Sequence, residues 1–354
     1  MTGRGIQALI AAIFVLVEEL GDWLQNRKTG NPGKNSLMYR KAEILAKIEL
    51  RQSTIKDWLN CPLMYRYRHV EGLKPAFRNL AALHGSALHL AIHELHTQGF
   101  DQDLSNLYRS SFTQVRDAEP EIPIHWKEGM EADLARLQAN ASEILEGYSS
   151  YTENRNTTVL FSEVRFRVRI RGYELSGTMD QVRRNSSGGC ELIDLKSGMQ
   201  RPNMRSLPVD WQLSLYAYAL KHGEVLVNGK WIRPGLSVDR TVIYFLRAHE
   251  KYKRNSKYGR LGDEKGSPLM ACEKPGWDLM RFKQDFLNLV KMMTRDWPFP
   301  NPQACGFCAY HTICRQRSLF FASAKLQRVQ ADLAELGMLE SSEKELNEYD
   351  YENR

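Results

Sequence analysis

Between residues 164 and 171 the chain alternates without a break: Val164, Phe166, Val168 and Ile170 are apolar, and Arg165, Arg167, Arg169 and Arg171 are cationic. A period of two puts the apolar set on one face of a strand and the arginines on the other, so one face is buried. A second strand is predicted from Tyr173 to Met179. Asn185-Ser-Ser-Gly-Gly189 is a turn signal, so the segments ending near Arg184 and starting near Cys190 form a hairpin. Arg240 to Leu246 reads as a further, buried strand.

The rest of the pattern is helical. Apolar residues recur at helical spacing through Leu104, Leu107, Phe112, Leu134, Leu137, Ile144 and Leu145, divided by the proline-containing stretch 120–123. Helices are also predicted over 84–98, 209–222 and 277–294, and a short one from an N-cap at Ser53 to Leu59, with Cys61-Pro62 opening another. The core is therefore a helix-flanked sheet. Residues 5–26 read as a helix holding the apolar run Ala8 to Val17, which is too short to span a bilayer and is followed by Glu18 and Glu19 instead of a cleavage site. It is expected to be buried or docked on a partner.

These boundaries divide the chain into an N-terminal helical appendage and linker (1–50), a first part of the main domain (51–98), a helical subdomain (99–155), the sheet core (156–300), a cysteine-rich segment (301–318) and an acidic tail (319–354) that is helical or disordered. At 354 residues with 42% hydrophobic composition the chain can bury an ample core. A net charge of +7 leans towards a polyanionic partner. The basic residues Lys251, Lys253, Arg254, Lys257 and Arg260, interleaved with Tyr252 and Tyr258, suit backbone phosphates and unpaired bases, and the strand arginines with Arg183 and Arg184 are further candidates.

Three of the six cysteines crowd together as Cys305, Cys308 and Cys314, which reads as a metal or cluster site in a reducing, cytoplasmic setting. A fourth thiolate must come from elsewhere, and Cys61 is the candidate. Four thiolates suit zinc as well as an iron–sulfur cluster. Cys190 and Cys272 lack such companions and are expected to be packed or free thiols.

The chemistry centres on the hairpin. Asp194 and Lys196 project from one face of a strand, and Ser176-Gly-Thr-Met-Asp180 brings a second carboxylate alongside. Paired carboxylates favour hard divalent cations such as Mg²⁺ or Mn²⁺, which phosphodiester hydrolysis uses to shield phosphate charge and activate water. A neighbouring lysine can orient that water and stabilise the developing negative charge. His89, four residues after Gly85, supplies a possible imidazole ligand, and Gln212 and Tyr216 share one helical face.

The ordered series Gly85-X-X-X-His89, Gly177-X-X-Asp180, Asp194-X-Lys196, Gln212-X-X-X-Tyr216 resembles the RecB-like branch of the PD-(D/E)XK nuclease superfamily, which includes the Cas4-like nucleases, over residues 53–316. The resemblance implies an α/β fold with a restriction-endonuclease-like core, a central mixed sheet flanked by helices, a helical insertion and a C-terminal region stapled by an iron–sulfur cluster. It implies that His89, Asp180, Asp194 and the Leu195 carbonyl ligate Mg²⁺ or Mn²⁺, that Lys196 is the catalytic lysine, and that Gln212 and Tyr216 position water or DNA. Glu163 stands where related sequences often carry an acidic residue. Cys61, Cys305, Cys308 and Cys314 match the split pattern that holds a [4Fe-4S] cluster in Cas4-like and AddB-like nucleases, with zinc as the alternative. Ser197 replaces the usual threonine after the lysine and keeps its hydroxyl.

Two functions follow as expectations. The first is a metal-dependent deoxyribonuclease, an exonuclease or DNA-end-processing enzyme acting on single strands or DNA ends in the cytoplasm, that of the host if phage-encoded. The second is a non-catalytic DNA-end-binding or assembly component that keeps the nuclease fold. In both, the N-terminal helix and the acidic tail are candidate protein-docking segments, and a membrane partner is not expected.

Overall fold

A computed structural model of the chain describes residues 50–153, 157–201, 203–250, 267–274, 276–294 and 298–317. The apolar N-terminal run, the basic stretch from Lys251 to Arg260 and the acidic tail lie outside these residues.

The chain enters through strand β1 (Leu50–Arg51) and helix α1 (Gln52–Asn60). Ser53 lies inside this helix; Arg51 occupies the N-cap position, and no side chain caps it. Helix α2 (Pro62–Tyr65) follows and widens into a π-turn over Arg66–Val70. Pro62 sits in its first turn, where the missing amide hydrogen has no helical partner to lose. Strand β2 (Arg78–Asn79) leads into α3 (Leu80–Gln98), which starts where the Asn79 side chain accepts from the Ala81 amide, four residues before the predicted start.

Helix α4 (Leu104–Asp117) is capped by Asp103, which accepts from the amides of Ser105 and Asn106. Strand β3 (Ile124–His125) pairs with β2, and helix α5 (Met130–Glu153) completes the helical layer. The proline-containing break between α4 and α5 falls where the sequence places it.

Strands β4 (Thr158–Ile170), β5 (Tyr173–Arg184) and β6 (Cys190–Lys196) form an antiparallel meander. The second of these runs unbroken to Arg184. Helix α6 (Trp211–His222), capped by Asp210 on the Leu213 amide, precedes the hairpin β7 (Glu224–Val227) and β8 (Lys230–Ile232). Its turn residues, Asn228 and Gly229, both have positive φ (49° and 74°), as a two-residue type I′ connection requires. Strands β9 (Arg240–Phe245) and β10 (Leu269–Glu273), helix α7 (Gly276–Thr294) and a 3₁₀ turn (Pro302–Phe307) follow. The sheet runs β10-β9-β6-β5-β4-β7-β8, and β1 pairs with β5. Pairing is antiparallel except for β6 with β9 and β1 with β5, so the sheet is mixed.

Both faces are covered. On one, Val164, Phe166 and Val168 pack with Leu213 and Leu220 of α6 and Phe282 and Phe286 of α7. On the other, Ile193, Leu195, Val242 and Tyr244 pack with Leu88 and Ile92 of α3, Phe112 of α4 and Ile144 of α5. Arg183, expected to meet phosphate, is buried here instead: its guanidinium donates to Tyr148 Oη (2.8 Å) and Gln181 Oε1 (2.9 Å) because α5 covers its side of β5. Among the described residues no helix is long and apolar enough to cross a membrane.

The decisive irregularity lies between β5 and β6. Their pairing ends at Gln181 and Ile193, while β1 takes the first half of β5 at Leu175 and Ser176. The strands therefore part at Asp180 and Asp194, and a cleft of about 1120 Å³ opens there.

Candidate active site

The site side chains come from the parting strands β4, β5 and β6 and from the faces of α3 and α6 that meet them. The register that pairs Ser162 with Gln181 and Val164 with Met179 sets Glu163 opposite Asp180, and Glu163 itself has φ of 47°. A non-glycine residue with positive φ inside a strand is strained, and here the strain turns a carboxylate towards the cleft. Helix α3 approaches closely at Gly85, where a Cβ would lie 2.7 Å from Ser197 Oγ. One turn further on, His89 reaches the two carboxylates: its Nδ1 is 3.3 Å from Glu163 Oε1 and 3.6 Å from Asp180 Oδ1, and its Nε2 is 3.1 Å from the Leu195 carbonyl.

Ligand atoms of His89, Glu163 and Asp180 lie within 4.8 Å of one another. Both imidazole nitrogens face acceptors, an arrangement satisfied by the doubly protonated ring. Burial disfavours that charge, but Asp180 and then Glu163 outweigh it and push the His89 pKa up to about 10. Burial likewise opposes ionisation of Asp180, yet His89 and the Leu195 amide hold its carboxyl below the usual range. The donor set is one imidazole, two carboxylates and a backbone carbonyl, and the carboxylates hold a positive charge between them. That chemistry fits a hard divalent cation.

Asp194 lies deeper and forms the second half of the site. Its Oδ2 is 2.6 Å from Lys196 Nζ, and its Oδ1 accepts from Gln212 Nε2 at 2.7 Å. Burial raises its pKa to about 6 although Lys196 works against that rise, and Asp194 in turn keeps the Lys196 ammonium charged against its own burial. Gln212 also meets Lys196 Nζ (3.4 Å) and donates to Tyr216 Oη (3.0 Å), so α6 presents both residues to the strand end from one face. Burial holds the Tyr216 hydroxyl in its neutral form.

All the catalytic candidates thus line one cleft. Its walls add residues that the sequence reading passed over: Lys56 and Gln52 of α1, Ser86 of α3 and Trp231 of β8. The Asn228-Gly229 dipeptide was the signal that could have found the hairpin carrying Trp231.

The four predicted cysteines also converge. Cys61 lies between α1 and α2, and it lines a small pocket with Cys305, Cys308 and Cys314. The segment 298–317 docks there through bonds from the Asn301 amide to Cys61 Sγ (3.4 Å), from Asn301 Nδ2 to the Asn60 carbonyl (2.8 Å) and from Tyr310 Oη to the Leu73 carbonyl (2.9 Å). Cys190 is buried in the sheet core and Cys272 is partly buried, and neither lies in this group.

A family model described as the PD-(D/E)XK nuclease superfamily matches residues 49–315, and the chain belongs to that superfamily. The crystal structure of SSO0001 is 13% identical, with a TM-score of 0.30, covering 74% of this chain and 94% of the other. That of a candidate exonuclease from Eubacterium rectale is 12% identical, with a TM-score of 0.42, covering 79% and 91%. No curated protein sequence matches the chain.

Proposed function

We propose that the protein is a Mg²⁺- or Mn²⁺-dependent deoxyribonuclease that processes DNA ends, with an iron–sulfur cluster closing its fold. The observation that carries this is the meeting of His89, Glu163 and Asp180 beside the Asp194, Lys196 and Gln212 group at the base of one cleft. His89, Asp180, Asp194 and the Leu195 carbonyl, joined by Glu163, would hold the cation. When bound, it supplies charge neutralisation for the scissile phosphate and lowers the pKa of the attacking water. Lys196, fixed by Asp194 and Gln212, keeps its proton and presents positive charge to the phosphoryl oxygens. Gln212, braced by Tyr216, holds the Asp194 carboxylate in place.

Cys61, Cys305, Cys308 and Cys314 would hold the cluster. All four line one small pocket, and their split order along the chain, one before the sheet core and three after it, matches the pattern of the cluster-bearing nucleases that the sequence resembles. A cluster there ties residue 61 to the chain's 305–314 segment and adds no chemistry to the cleft.

The test is degradation of end-labelled single- and double-stranded DNA with Mn²⁺ or Mg²⁺. Wild type should cleave, and chelator or Asp194→Ala should abolish cleavage. Equal degradation by wild type and Asp194→Ala would sink the reading.

A further inference from the structure

The cleft extends well past the catalytic carboxylates along the sheet. Period-two alternation sets Arg165 and Arg167 on one face of β4, opposite the buried Val164, Phe166 and Val168, and Glu163 lines the cleft with them. The registers pair Arg165 with Thr178, Phe166 with Val225, and Leu226 with Trp231. Continued by one residue, they place Thr178, Arg165, Leu226 and Trp231 in a single row across the strands. By strand spacings of ~4.8 Å and a rise of ~3.4 Å per residue, the backbone at Trp231 is roughly 16 Å from that at Asp180.

Trp231 is unusual for a tryptophan. It belongs to neither hydrophobic core and is only partly buried, yet it lines the same cleft as Asp180 and Lys196. Its ring is held in place: the Arg167 guanidinium, which lines the same cleft, lies 4.4 Å from the ring centroid and is itself fixed by Glu224 at 2.7 Å. The type I′ turn at Asn228 and Gly229 makes the hairpin short and stiff. Between ring and carboxylates, Arg165 is exposed, and Lys56, which also lines the cleft, is exposed too, so that each can meet backbone phosphate.

We propose that Trp231 is a base-stacking platform for an unpaired DNA strand, which runs from the catalytic carboxylates past Arg165 to the β7–β8 hairpin, and that this stacking gives the cleft its preference for single strands. An aromatic ring accepts any base by its π-face but cannot stack on one that is enclosed in a duplex. The inference rests on the nuclease reading for its substrate, but its test needs no cleavage.

Fluorescence anisotropy of a labelled single-stranded oligonucleotide, with chelator present, compares the full-length wild type with Trp231→Ala and Trp231→Phe. Trp231→Ala should weaken single-strand binding roughly tenfold or more, and Trp231→Phe should retain most of it. Duplex binding should be unchanged in both. A second measurement moves one abasic site along the oligonucleotide. Wild type should lose affinity at one position, and Trp231→Ala should be indifferent there, because the two changes remove the same contact. Single-strand affinity equal in wild type and Trp231→Ala, absence of single-strand binding by wild type, or no sensitive abasic position would each overturn the inference. Loss of binding in Trp231→Ala from a wild type that cleaves nothing would leave the platform standing and refute the nuclease reading alone.

Discussion

The backbone amide of Leu195 donates to the Asp180 carboxylate across 2.7 Å, just past the last rung that joins β5 to β6. Where the strands part, a side chain takes the hydrogen bond that a strand carbonyl would otherwise accept. Asp180 therefore has two duties, one structural and one chemical. Asp180→Asn can still accept from Leu195 through its amide oxygen, so its thermal midpoint should stay near wild type while cleavage falls on the order of 100-fold or more. Asp180→Ala leaves a buried amide unsatisfied and should in addition lose about 1–3 kcal/mol in urea unfolding. Equal stability of the two variants would separate Asp180 from the strand junction.

The two motif glycines should respond differently to a methyl group. At Gly177 a Cβ would meet the buried Phe166 ring at 2.7 and 2.9 Å, and that ring is enclosed by the core. Gly177→Ala is expected to cost about 1–3 kcal/mol. At Gly85 the contact is the Ser197 hydroxyl, which can rotate away. Gly85→Ala should therefore cost well under that, and adding Ser197→Ala should remove most of the remaining loss. Chemical denaturation of the four proteins checks the ranking.

How much of this was legible in the chain depends on where the cause of each feature lies. The alternation from Val164 to Ile170 could be read because one face of this part of β4 is buried at every second residue. Asp180, Asp194 and Lys196 could be read because a hairpin makes neighbours of residues close in sequence. Arg183 was misread as a phosphate contact because nothing in β5 itself tells which face α5 will cover. Glu163 gains its place from a backbone angle that no residue type announces. Trp231 was missed because its hairpin strands are only three and four residues long, too short to show a period.

The strain at Glu163 makes stability and activity separable. A glycine adopts φ of 47° freely, so Glu163→Gly should relieve on the order of 1 kcal/mol of backbone strain and also remove one of two facing carboxylates. The variant is expected to match or exceed wild-type stability and to lose metal-dependent cleavage. Isothermal titration with Mn²⁺ and urea unfolding report the two effects independently. Unimpaired Mn²⁺ binding would count against Glu163 as a ligand.

Removal of one thiol should release the C-terminal segment without touching the cleft. Cys308→Ala, purified anaerobically, is expected to be colourless where wild type is brown, and to lose both iron and acid-labile sulfide. Without the cluster, residues 298–317 are held by the hydrogen bonds of Asn301 to Asn60 and Tyr310 to Leu73, by the Leu63 and Ala76 amides on the Phe299 and Ala309 carbonyls, and by the Arg317–Glu71 ion pair, so limited proteolysis should cut there first. Stoichiometric zinc in a colourless wild type would replace the cluster with a zinc site.

Three histidines around the helical layer, His84 and His249 buried and His96 half-buried, set the acid limit of the fold. His84 meets Tyr108 Oη at 2.7 Å and Asn140 Oδ1 at 3.0 Å, and His96 and His249 each meet a tyrosine hydroxyl at 2.7 Å. These partners are neutral, so burial dominates and lowers all three pKa values to about 4. Unfolding returns each ring to an ordinary value near 6.5, and between about 6.5 and about 4 the unfolded chain binds more protons than the folded one. The stability these groups contribute is therefore complete above pH ~6.5 and is lost as pH falls towards ~4. For His84, which is the most enclosed, the loss is on the order of 3 kcal/mol. Urea midpoints should fall between about pH 7 and about pH 5, and His84→Gln, which keeps an amide for both partners but does not titrate, should flatten that fall. An unchanged slope in His84→Gln would place the acid sensitivity elsewhere, with the carboxylates at the strand junction next in line.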